Sequence, residues 1–161
     1  RYGFILDSTL NDFVSGELES AIISCDQEEQ PDLILLEGQS SLRNPSGPCG
    51  SEYLCSAQAK GVILQYAPKQ KFYLADDGRE LWPMPPIEEE LELIRLYGSE
   101  TLALTLNSFN LTKTELKTEQ KNLETGLGLP VVCPMEEGME RLVPVVQEFI
   151  ALQRANTESA K

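Results

Sequence analysis

The chain has 161 residues, 41% hydrophobic and 7% aromatic, a globular balance with room for one hydrophobic core rather than two. Its 26 acidic and 13 basic side chains leave a formal charge of -13, which repels phosphate backbones and anionic membranes and so excludes nucleic acid and membrane as expected partners. With no histidine, imidazole nucleophile systems are excluded too, and any general base must be a carboxylate, Lys, Tyr or Cys.

The opening residues Arg1 to Leu6 include no initiator Met and no basic-then-apolar leader, so residue 1 reads as a cut point with further chain expected upstream. Phe4-Ile5-Leu6 predicts a short strand ending at Asp7, and Leu10, Phe13, Val14, Ala21 and Ile22 then fall on one face of a helix. Pro31 and Gly38 bound the apolar run Leu33 to Leu36, the pattern of a central strand buried on both faces of a parallel sheet. Gly38 to Gly50 is rich in Gly, Pro and Ser and predicts a loop. Gly61 to Tyr66 is another apolar run, and Lys71 to Leu74 predicts a short strand ending at the Asp76-Asp77-Gly78 turn.

Pro83, Pro85 and Pro86 lead into a helix with Ile87, Leu91 and Ile94 on one face, continuing to about Tyr97. Thr101 to Leu106 predicts a strand, and Thr112-Lys113-Thr114-Glu115 matches a capping box that opens a helix running to about Glu124. Leu129 to Val132 reads as a short strand. Leu142, Val145, Val146, Phe149 and Ile150 form the apolar stripe of a terminal helix with Pro144 in its first turn. The polar stretch 154–161 reads as a flexible tail following one domain over 1–153.

This alternation predicts an α/β fold, a parallel sheet of at least about four strands with helices on both faces. The order is that of a P-loop NTPase-like fold, yet neither G-x-x-x-x-G-K-S/T nor G-x-G-x-x-G occurs in the chain, which places the phosphate-loop unit upstream. Cys25, Cys49, Cys55 and Cys133 are irregularly spaced without a C-x-x-C pair, which suggests neither zinc nor a disulfide framework and points to the reducing cytoplasm.

Ligands of open parallel sheets bind beyond the carboxyl ends of the strands, which directs attention to Asp7 with Asp12, to Glu37, and to Asn107 with Ser108. Glu37 is the most informative, because an acid ending an apolar strand is placed to hold magnesium or to act as a general base. Behind it, Gly38, Gln39 and Ser40 can turn N–H groups and hydroxyls toward an anion, and Arg43 can supply a bidentate donor. Asp7 and Asp12 read as helix caps or turn acceptors ahead of metal ligands, and Asn107 as a turn residue ahead of a reader of a purine or amide edge. Cys55 has no basic neighbour in sequence to lower its thiol pKa and reads as structural.

Asp7 followed by Asn11-Asp12-Phe13-Val14-Ser15-Gly16, and Asp32-Leu33-Ile34-Leu35-Leu36-Glu37-Gly38-Gln39-Ser40-Ser41-Leu42-Arg43-Asn44-Pro45, resemble the C-terminal P-loop-like domain of a prokaryotic family of unknown function that includes D-glutamate N-acetyltransferases. Looser agreement comes from Pro83 to Glu89, from Leu102 to Ser108 and from Gly128 to Val132. The resemblance implies an N-acetyltransferase that uses acetyl-CoA and a small acidic amino acid, with Glu37 as base and a Rossmann-like domain upstream; homo-oligomerisation stays open. The family's His-Gly-Ser-Gln is here Cys55-Ser56-Ala57-Gln58. Similar folds serve ATP- and magnesium-dependent ligases of the dethiobiotin synthetase type. By that analogy Glu37, with Asp7 or Asp12, would hold the metal and Asn107 would contact adenine. A non-catalytic interaction domain is the third class.

Overall fold

A computed structural model describes every residue except Arg1, Gln39, Ser40, Ser46, Asp76, Ala160 and Lys161, and of Asp7 only the backbone. The chain divides into two compact units, Arg1–Lys60 with Tyr97–Ser99, and Gly61–Leu96 with Glu100–Lys161. None of the described helices is long and apolar enough to cross a membrane.

The first unit is helical. Phe4 and Ile5 lead into a 3-10 turn, Leu6–Ser8, rather than the predicted strand, and helix α1 spans Asn11–Glu29. Helix α1 ends at Gln30 in the left-handed conformation, whose N–H returns to the Asp26 carbonyl. Its buried side chains are Val14 and Leu18, whereas Leu10 and Phe13, expected on the same face, are exposed. The apolar run Leu33 to Leu36, expected as a central strand with Glu37 at its end, forms no ladder among the described residues, and Leu35 is 77% exposed. Apolar composition makes a strand only where a neighbour accepts its hydrogen bonds. The predicted loop stops two residues early, because Cys49 and Gly50 already belong to helix α2, Cys49–Ser56. Leu54 of α2 and Leu42 of the loop are buried in this unit, each burial contributing on the order of 1.5–3 kcal/mol. Ser99 is fastened here by donating its hydroxyl to the Ala59 carbonyl at 2.6 Å.

The second unit contains the parallel sheet. Strands β1 (Gly61–Tyr66), β4 (Glu100–Leu106) and β5 (Val131–Val132) lie in the order β1-β4-β5, all parallel, three strands in place of the four or more expected because the two N-terminal runs do not join them. Between β1 and β4 come an antiparallel hairpin, β2 (Phe72–Leu74) with β3 (Glu80–Pro83), and helix α3, Ile87–Leu96. Strand β3 had no counterpart in the reading of the sequence; Pro83 at its end and three exposed residues of four mask its signal. Helix α4 (Lys113–Leu127) follows β4, the short α5 (Pro134–Glu137) follows β5, and α6 runs from Leu142 to Ser159.

The two faces of β4 explain the helices around it. Leu104 and Leu106 pack with Ile87, Leu116, Val131 and Cys133, and Leu91 and Leu123 join them from α3 and α4. Ala103 packs with Val132 and Leu142, the first residue of α6. A side chain at Gly61 would meet Leu102 at 2.8 Å and Phe149 of α6 at 2.9 Å, so glycine opens β1 where backbone and helix approach closely. The capping box is present as predicted: the Glu115 N–H donates to Thr112 Oγ1 and the Thr112 N–H to the Glu115 carboxylate, at 3.3 and 2.8 Å.

The two sheet edges differ. On β5 the Val131 N–H donates to Glu124 at 3.1 Å, the Cys133 N–H donates to Glu137 at 2.9 Å, and the Val131 carbonyl accepts from Gln120 at 2.8 Å and Arg141 at 3.0 Å. Arg141 also reaches Glu124 at 2.5 Å. Side chains of α4, α5 and the turn before α6 thus close that edge. Among the described residues no comparable groups close β1.

Candidate functional site

The loop after Glu37 is organised by α2. Pro48 precedes the helix without a side-chain cap, and the Ser51 hydroxyl donates back to the Leu42 carbonyl at 2.7 Å. A side chain at Gly50 would meet the Leu42 side chain at 3.1 Å and its backbone nitrogen at 3.3 Å, so glycine lets the loop lie on the first turn of α2. A Cβ on Gly38 would come within 2.6 Å of the Tyr53 ring, which places the Glu37-Gly38 peptide directly against α2. The Tyr53 hydroxyl is pushed above the ordinary tyrosine range, first by burial and then by the charges of Cys49 and Glu37. Glu37 is exposed and makes no hydrogen bond or ion pair among the described residues. The Ser41 hydroxyl oxygen in the same loop is buried and has no hydrogen-bond partner among the described residues.

The residues singled out from sequence therefore separate. Glu37, Gly38, Arg43, Asp7 and Asp12 belong to the first unit and Asn107 to the second. Gln39 and Ser40 lie outside the described residues, as does the side chain of Asp7. Arg43 is exposed and is engaged by a neighbour. Asp12 is exposed in the first turn of α1, where a carboxylate complements the helix dipole. Asn107 follows β4 directly; its side-chain oxygen accepts the Phe109 N–H at 3.0 Å, and its own N–H donates to the Tyr66 carbonyl at 2.8 Å. Among the described residues no three His, Cys, Asp or Glu side chains are grouped to hold a metal ion.

Sequence reasoning missed a cleft of about 410 Å³ in the first unit, lined by Ser15, Gly16, Glu19, Ile22, Ile23, Ser56, Ala57 and Gln58. It joins the end of the Asn11 to Gly16 motif, quoted above for the resemblance, to Ser56-Ala57-Gln58, part of the stretch that departs from the family's His-Gly-Ser-Gln, two segments far apart in sequence. Gln58 has a φ of 49°, a left-handed conformation uncommon for a residue with a side chain. The available signal was the pair of motifs itself; what hid the site was the unrecognised helix α2, which carries Ser56 to it. Cys55 is exposed at the end of that helix, and none of the four cysteines forms a disulfide.

A parallel sheet packed between helices defines an α/β domain. A family model for the C-terminal P-loop domain of DUF1611, a domain of unknown function, matches residues 1–143, and the chain belongs to that family. A crystal structure of a DUF1611 family protein from Anabaena variabilis is similar in fold, with a TM-score of 0.79 and 21% sequence identity. The similarity covers 91% of this chain and 43% of that one, so the chain spans less than half the length of that relative. No curated protein matches the sequence.

Proposed function

We propose that the chain forms part of an N-acetyltransferase that moves the acetyl group of acetyl-CoA to the amine of an acidic amino acid such as D-glutamate. The reading rests on the setting of Glu37, a solvent-open carboxylate without an ion pair among the described residues, whose charge reaches the Tyr53 hydroxyl and which stands at the head of the loop fastened to α2. Asp32 to Pro45, which takes in the start of that loop, is one of the two stretches in which the sequence resembles the family that includes D-glutamate N-acetyltransferases.

In the proposed reaction Glu37 takes a proton from the acceptor ammonium, and the freed amine attacks the thioester carbonyl. The C–N bond forms as the C–S bond breaks, and the second proton that the nitrogen sheds passes to the departing CoA thiolate, directly or through solvent. Arg43, which a neighbour engages here, would bind a carboxylate of the acceptor by exchanging that partner. The residues present fit the acceptor and proton-transfer side of this chemistry. They contain no phosphate-loop sequence, so the CoA phosphates are assigned to an upstream Rossmann-like domain and phosphate-loop unit of the same protein. The reducing cytoplasm, where the four thiols stay reduced, is the compartment this reading implies.

Replacing Glu37 by Gln keeps size and hydrogen bonding but removes the base. In the complete gene product, kcat for acetyl transfer is expected to fall on the order of 100-fold or more. The melting temperature should barely move, because exposed substitutions typically stay within about 0.5 kcal/mol. Near-normal turnover would reject Glu37 as the base, and lost stability with intact specific activity would make it a fastener of the loop.

A further inference from the structure

The cleft between α1 and the end of α2 has a shape and a chemistry of its own. On α1 it is lined by Ser15, Gly16, Glu19, Ile22 and Ile23. These positions recur every three to four residues along one face of the helix, and at a rise of about 1.5 Å per residue they extend over about 12 Å. The volume of about 410 Å³ falls within the usual range of small-molecule sites, roughly 300–1,000 Å³. Such a groove suits an extended ligand better than a compact one.

Gly16 gives the cleft its room. Glycine weakens a helix interior, and neither of the usual reasons for keeping one there applies at this position. Gly16 lies inside α1 without a positive φ, and a Cβ on it would meet no heavy atom within 4 Å among the described residues. What the glycine leaves open is the wall of the cleft.

The lining also states what it can hold. Its polar side chains are Ser15, Glu19, Ser56 and Gln58, and no Lys or Arg is among the residues that line it. Glu19 therefore disfavours a phosphate or a carboxylate in this cleft and serves as an acceptor for N–H donors. Among the described residues the side chains of Ser15, Glu19 and Gln58 have no hydrogen-bond partner, whereas the Ser56 hydroxyl donates to Glu52 and keeps its oxygen free to accept. A neutral chain of amides and branched apolar carbons matches this set. Its N–H groups donate to Glu19 and Ser56, its carbonyls accept from Ser15 and Gln58, and its methyl groups lie on Ile22 and Ile23.

We infer that the cleft takes the pantetheine arm of an acyl-CoA, the neutral amide-bearing segment between the nucleotide and the thioester. The inference rests on the acyl-transfer reading and adds to it the part of the donor that this unit binds. Charge keeps the CoA phosphates and the acidic acceptor out of the cleft, which agrees with an upstream seat for the phosphates. Ser56 follows Tyr53 by three residues on α2, a rise of about 4.5 Å, and Tyr53 is the ring that Gly38 approaches. An arm lying in the cleft has its thioester end about one helical turn from that ring.

Filling the cleft in the complete gene product tests the inference. Gly16→Leu places a good helix former where there is open space, so the melting temperature should hold. Ile23→Glu, at a position 45% exposed, adds charge instead of bulk and serves as the second variant. Each is titrated calorimetrically with CoA and with the adenine nucleotide half of CoA alone, and acetyl transfer is assayed in parallel. CoA is expected to bind about tenfold or more weakly, with KM for acetyl-CoA rising in step, while the nucleotide half stays within about twofold. Unchanged CoA affinity in the folded variants, or equal losses for CoA and its nucleotide half, would overturn the inference and leave the acyl-transfer reading standing if acetyl is still transferred. Selective loss of CoA affinity in a protein that transfers no acetyl group would uphold the pantetheine site and remove the acyl-transfer reading. Absence of CoA binding by the unmodified protein would remove both.

Discussion

At the scale of single residues, Gly38 and Tyr53 set the position of Glu37. An added methyl on Gly38 would lie 2.6 to 2.7 Å from two carbons of the Tyr53 ring, so either the ring or the peptide must move. Overpacking of this kind costs on the order of 1–3 kcal/mol. Gly38→Ala is therefore expected to lower stability by that amount, and to cost much less in a Tyr53→Ala background. A double-mutant cycle in urea checks this, and additive losses would show that the two positions do not touch. Cysteine reactivity gives a second test. The Cys133 thiol is pushed up to about 11 by burial first and by the charges of Glu137 and Glu136 next. Alkylation at pH 8 followed by mass spectrometry should modify the exposed Cys55 early and Cys133 last; early loss of Cys133 would contradict the packing described. Glu37 stood out in the sequence because it ends an apolar run. The approach of Gly38 to the Tyr53 ring did not, since it depends on a helix whose single buried residue, Leu54, leaves almost no periodic signal.

At the scale of elements, α4 and β5 carry the clearest energetics. Thr112→Ala removes one half of the capping box and should cost about 1 kcal/mol, measurable as a shift of the urea midpoint. The Thr112 backbone and hydroxyl, followed by Lys69, hold the Glu115 carboxyl down at about 2 instead of the usual 4.5. Because the folded value lies below the unfolded one, this contribution is complete above pH 4.5 and is lost as pH falls toward 2. Glu115→Gln should flatten that part of the stability profile, and an unchanged acid limb would contradict the box.

Burial pushes the Glu124 carboxyl up, but the Arg141 hydrogen bond, the Val131 N–H and the Arg141 charge outweigh it and leave it lowered. Arg141→Met keeps length but strips the donors from Glu124 and the Val131 carbonyl. A loss of about 1–3 kcal/mol in chemical denaturation is expected, and under about 0.5 would show the edge needs no such closure. The capping box, β4 and α6 were legible because their signals are local: a hydroxyl three residues before a carboxylate, a β-branched and leucine-rich run, an apolar stripe. Leu33 to Leu36 had an equally clear pattern and still forms no strand, because pairing depends on a neighbour that composition cannot supply.

At the scale of the whole molecule, the alternation of strands and helices made the parallel α/β class legible. The division into two units was not legible, since no composition shift marks residue 60. The cleft between Gly16 and Gln58 escaped for the same reason as Tyr53, because it requires α2 to bring two distant motifs together. An excess of acidic over basic side chains disfavours binding of any polyanion, so recognition of a CoA or nucleotide phosphate must come from focused local groups. Acetyl-CoA and Mg-ATP therefore discriminate between acyl transfer and an ATP- and magnesium-dependent reaction. The most direct measurement is calorimetric titration of the complete gene product with each ligand in turn. The acyl-transfer account predicts saturable heat with acetyl-CoA and none with Mg-ATP. Heat with Mg-ATP alone, or with neither ligand, would contradict it.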